Sequence, residues 1–68
     1  MKVNEILEFG KSAVDRVEIT TEQFNTCVYR GPSNMLNHCL SQETLAPYLD
    51  RDVIKFVVSK STLCIYCK

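Results

Sequence analysis

Four cysteines and a single histidine are the residues in this 68-residue chain best suited to nucleophilic or metal chemistry. Two of the cysteines form the one recognisable short motif, Cys64-Ile65-Tyr66-Cys67. A CxxC pair can hold zinc or run thiol–disulfide exchange. Zinc needs four ligands, and Cys27, His38 or Cys39 could complete the set. The local pattern argues against both uses. Zinc pairs sit in turns where two sulfurs converge, whereas this pair lies in an apolar run with the alternation of a strand. Strand positions three apart point to opposite faces. Redox pairs open a helix, whose N-terminus lowers the thiol pKa. Here only Lys68 follows. The expectation is four mostly reduced thiols that behave as small hydrophobes, dispensable for activity, with no metal and no cofactor. A zinc-stapled or thiol-redox domain using Cys64 and Cys67, with Cys39 and His38 as further ligands, is the alternative reading.

Other catalytic arrangements are not evident. His38 and Cys39 are adjacent, and adjacent helical residues do not face each other, so they make a poor thiolate–imidazole pair. Asp50 and Asp52 flank Arg51 at a turn, which is ordinary turn chemistry rather than an acid–base pair. With only Gly10 and Gly31 the chain has no glycine-rich phosphate loop. Tyr29 and Tyr66 fall on predicted strands and could stack on bases, but cross-strand packing is the better reading, since the strand order is not that of the RNA-binding sheet that stacks bases. No catalytic residue is expected, and the protein is read as a non-enzyme.

The elements that position these residues follow from hydrophobic spacing. Val3, Ile6, Leu7 and Gly10 mark one helical face over residues 2–12. Gly10 either weakens the helix end or allows close packing on a sheet. Val14 to Thr20 alternates as a half-buried strand, Thr21 to Gln23 is a polar break, and Phe24 to Arg30 is a second strand. The short break favours an antiparallel hairpin. Gly31-Pro32 stops that strand, and Ser33 is placed to cap a helix. Helical spacing continues over 33–49, with a step near Ser41 and a break at Pro47. Val53 to Ser59 is the strongest strand, Ser59-Lys60-Ser61 a tight turn, and Leu63 to Cys67 the last strand. The fold class is α+β: one small domain over 1–68, in α-β-β-α-β-β order, with a four-stranded, mainly antiparallel sheet packed on helices. Ile19, Val28, Leu36, Leu45, Ile54, Phe56, Leu63 and Ile65 are the expected core. A fully buried Phe56 would make Phe56→Ala cost about 3–5 kcal/mol.

Composition narrows the function classes. Eight basic and eight acidic residues cancel. A dedicated nucleic-acid binder carries a basic stripe, so nucleic acid is not an expected partner and ranks third among the readings. Met1 to Phe9 lacks an apolar signal core and no stretch is long enough to span a membrane, so a cytoplasmic setting is expected. So small a domain leaves apolar surface near solvent and sheet edges open. The leading expectation is therefore a protein-interaction module whose partner is another protein or a second copy of the chain. The strand Thr62 to Cys67 is apolar and free of charge, which singles out Leu63, Ile65 and Tyr66 as interaction residues if that strand lies at a sheet edge.

Overall fold

The structure is a computed structural model that describes residues 1–10, 12–22, 25–36 and 39–68, with 39–41 described by their backbone. Expectations placed on Lys11, Gln23, Phe24 and His38, and on the side chains of Cys39, Leu40 and Ser41, lie outside the described residues. The elements are α1 (Val3–Gly10), β1 (Arg16–Thr21), β2 (Thr26–Pro32), α2 (Cys39–Leu45), β3 (Val53–Ser59) and β4 (Thr62–Cys67). Short 3-10 turns at Ser33–Met35 and Ala46–Tyr48 bracket α2. No helix among the described residues is long and apolar enough to cross a membrane.

The fold is α+β with one four-stranded sheet, in the order β2-β1-β4-β3. The sheet is mixed. Each outer strand pairs antiparallel with its inner neighbour, and the inner strands β1 and β4 run parallel. This corrects the idea that the last strand lies at an edge, since β4 is central and bonded on both sides. Alternation then sorts its side chains. Val17 lies beside Leu63, and Ile19 beside Ile65. These four are the floor of the core, and Cys67 continues the same row. Leu36, Leu45, Val3, Ile6, Leu7 and Val14 close over it.

The helices cover this floor unevenly. α2 lies against β2 and α1 against β4. Helix α1 begins as a half capping box: the Lys2 backbone N–H donates to Glu5 Oε1 at 2.9 Å. Its other end approaches β4 very closely. A Cβ on Gly10 would lie 2.7 Å from Leu63 Cδ2. Gly10 does not have a positive φ, so the requirement there is steric rather than conformational.

Several boundaries differ from expectation. Pro32 belongs to β2, paired with Arg16, because β2 is an edge strand and its missing N–H is not needed there. Ser33 caps no helix. Its hydroxyl donates to the Val14 carbonyl at 2.7 Å and its N–H to the Asp15 carbonyl at 2.8 Å, which ties the end of β2 to the entry of β1. Helix α2 runs through Ser41 without a step. Pro47 sits in the 3-10 turn that follows α2, where its fixed φ is tolerated.

The main correction concerns β3. Ile54 and Phe56 are not core: they are 47% and 50% exposed. The parity of Phe56 is right, since it pairs with Ile65 and shares its helix-side face. Burial fails because neither helix packs principally on β3. Val28 is half-buried against the core rather than inside it.

The Gly10 contact yields a prediction. Gly10→Ala should destabilise the protein by about 1–3 kcal/mol, because overpacking at Leu63 outweighs the gain in helix propensity. In a Leu63→Val background, which removes the clashing Cδ2, the same change should be neutral or stabilising. A chemical-denaturation double-mutant cycle measures this, and equal costs in both backgrounds would contradict the steric account.

Candidate interaction surface

Strand β3 presents apolar side chains to solvent on both of its faces. Phe56 and Val58 lie on the helix side, beside Ile65 and Leu63. Val57 lies on the opposite face beside Cys64, and Ile54 falls where a bulge shifts the register. Val58 is 58% exposed, and Val57 about half. One charge, Lys55, interrupts the run. Its Nζ sits 4.9 Å from the centre of the Tyr66 ring, so it folds inward over β4 instead of guarding the edge.

Helix α1 extends this surface. Asn4, Leu7 and Glu8 line a cleft of about 210 Å³ that faces Leu45 and Leu49, so this flank of α1 points toward α2. The start of α1 is joined to the start of β3: the Val53 N–H donates to the Met1 carbonyl at 2.8 Å, the Val3 N–H to the Arg51 carbonyl at 3.1 Å, and Lys2 Nζ lies 2.7 Å from Asp52 Oδ1. At its other end Gly10 packs over Leu63, whose partner on β3 is Val58. Phe9, beside Gly10, lies off the flank that carries Asn4 and Glu8 and is 84% exposed. The exposed Lys2–Asp52 pair adds to these backbone bonds near neutral pH. The hydrogen bond and charge of Asp52 raise the Lys2 pKa, and those of Lys2 lower the Asp52 pKa. The attraction fades as pH falls through the lowered carboxyl value, and again as pH rises through the raised ammonium value, while the backbone bonds remain.

The opposite edge is built differently. β2 exposes Thr26, Cys27, Arg30 and Pro32. A bulge between Ile19 and Thr20 distorts its pairing, Pro32 offers no donor, and Arg30 is held by Glu18 at 2.9 Å. Bulge, proline and charge are the usual protections of an edge strand.

The residues first singled out fall elsewhere. Leu63 and Ile65 are buried, and Tyr66 is half-buried under Lys55 on the helix-free face. None offers unpaired backbone, because β4 is bonded on both sides. Tyr29 lies on the helix side beside Ile19, with its hydroxyl donating to the Pro32 carbonyl at 2.7 Å, so it forms no stacking platform with Tyr66. Phe9 escaped notice because it lies off the face that carries Val3, Ile6 and Leu7, and an isolated exposed aromatic carries no periodic signal.

The thiols separate as strand geometry requires. Cys64 lies beside Glu18 on the helix-free face, whereas Cys67 lies beside Thr21 on the buried face. The two sulfurs of the motif therefore cannot converge on one ion. Cys27 is exposed on β2. Burial pushes the Cys67 thiol up, an effect partly offset by the positive charge of Arg51. Alkylation of the folded protein at pH 8 should thus modify Cys27 first, Cys64 next and Cys67 only on unfolding. Peptide mass spectrometry reads the order, and early labelling of Cys67 would contradict the assigned face of β4. Compared with protein-family models, with curated proteins and with solved structures, the chain gives no match, so a functional reading rests on this surface.

Proposed function

We propose that this protein is a non-enzymatic interaction module whose working surface is the part of the β3 edge around Phe56 to Val58, beyond the stretch that Met1–Lys2 covers, together with exposed Phe9 of α1. The contrast between the two sheet edges carries the reading. β2 bears a bulge, a proline and a charge along its length, while β3 is bulged and covered by Met1–Lys2 only at its start and beyond that presents Phe56, Val57 and Val58 with its one lysine turned inward. An apolar, unguarded edge in a folded protein is a template for strand addition, with backbone bonds supplying affinity and neighbouring side chains supplying selection. Phe9 enlarges the apolar area on the helix side. The partner is another protein or a second copy. Thiols left unpaired at Cys27, Cys64 and Cys67 fit a reducing, cytoplasmic setting.

The zinc or redox reading loses support from the divergence of Cys64 and Cys67. The nucleic-acid reading gains none from the helix-free face, where Arg30 is committed to Glu18 and Lys55 to Tyr66.

A photo-crosslinking amino acid placed at Val58, compared with one at Arg30 on the opposite edge, tests the proposal in the source cell. Discrete crosslinked protein products are expected from position 58 and not from position 30. Products from neither site, or from position 30 alone, would remove the case for β3 as the working edge.

A further inference from the structure

We infer that the cleft between α1 and α2 is a ligand site for a small primary amine that carries one apolar group about the size of a phenyl ring. This site stands apart from the β3 edge. Its floor is apolar: Leu7, Leu36 and Leu45 are buried at the base, and half-buried Leu49 extends it. Its walls are pinned by bonds within the chain. The Asn4 backbone N–H donates to the Leu49 carbonyl at 3.1 Å, which fixes the start of α1 against the segment that follows α2. Gln42 Nε2 donates to the Leu36 carbonyl at 3.2 Å, which fixes α2 against the turn that follows β2. A small-molecule site has this form: a preformed apolar hollow with a few polar groups around it.

The polar groups set the charge of the ligand. Glu8 is the one charged residue among the described residues that line the cleft, and it has no ion-pair partner among the described residues. Asn4 lies one turn earlier on the same flank and adds an amide oxygen. The Gln42 amide is oriented by its bond to Leu36, so its oxygen is an acceptor held at the rim. An anion placed here meets a carboxylate with no cation on the described lining to offset it. An ammonium meets that carboxylate and two amide oxygens, and donates to all three.

The volume sets the size of the apolar group. A dry cavity of about 150 Å³ holds one benzene molecule. At about 210 Å³ this cleft has room for such a ring and a short chain leading to the rim. The ring displaces water from the leucine floor. The ammonium stays beside Glu8, which is exposed, so no charge has to be buried.

Methyl and amide NMR of the full chain, titrated with 2-phenylethylamine, 2-phenylethanol and 3-phenylpropionate, tests the inference. The amine should shift the signals of Leu7, Leu36 and Leu45 and saturate in the millimolar range that so small a ligand allows. It should bind about threefold to tenfold more tightly than the alcohol, with the gap narrowing in high salt. The carboxylate should bind more weakly than the alcohol. Glu8→Gln, at an exposed position, should close the gap between amine and alcohol while leaving the affinity for the alcohol unchanged. Asn4→Asp, whose added charge suits the first turn of a helix, should widen the gap about threefold. Equal binding of amine and alcohol by the unaltered chain overturns the inference and leaves an unselective apolar cleft. A gap that survives Glu8→Gln, shifts centred elsewhere, or no saturable shift up to about 50 mM amine overturns it as well.

Discussion

Val17 beside Leu63 and Ile19 beside Ile65 are the contacts on which the rest of the molecule is assembled. They join two antiparallel hairpins through a parallel seam, and the resulting apolar floor is what both helices cover. Because the seam uses β1 and β4, each hairpin turns its other strand outward. The two edges are thus determined by the pairing at the centre. Gly10 then sets how near α1 lies to Leu63, and backbone bonds from Met1–Val3 to Arg51–Val53 join the start of α1 to the start of β3. The exposed apolar surface is a consequence of that arrangement: α1 is centred on β4, α2 lies over β2, and β3 projects past them.

Alternation made all four strands legible, and the helical face of α1 followed from Val3, Ile6, Leu7 and Gly10. Which strands lie at the edges was not legible. Val53 to Ser59 and Thr62 to Cys67 are both apolar β runs, and local sequence marks the first, with its lysine, as the more guarded. The decision lies in a pairing between residues far apart in sequence, which no local window contains. Phe56 shows the same limit. Its face follows from strand period, but its burial depends on where a helix of eight residues ends up. Local sequence marks Pro32 as a stop and Ser33 as a cap, whereas the edge position of β2 and the Val14 carbonyl that override those roles are not local.

The CxxC spacing illustrates how the same four residues change meaning with secondary structure. On a helix or in a turn, Cys64 and Cys67 would converge. On β4 they face opposite layers, one beside Glu18 and one inside the core beside Thr21. The motif thereby becomes a piece of packing on one side and of surface on the other, with Cys67 filling the position that Leu63 and Ile65 hold further along the strand.

The parallel seam also governs the order in which the molecule can form. Thr62, the partner of Arg16, lies 46 positions further along the chain. Closing a loop of that length precedes any gain from the Val17–Leu63 and Ile19–Ile65 contacts. An isolated two-stranded hairpin is marginal in water, so the β1–β2 unit has little stability before β4 arrives. High contact order of this kind slows folding. The turn at Lys60-Ser61 marks where the two hairpins meet: the Ser61 carbonyl accepts both the Asp15 and Arg16 N–H groups, at 2.8 and 3.1 Å, so a single carbonyl of the β3–β4 turn fixes where β1 begins along the seam.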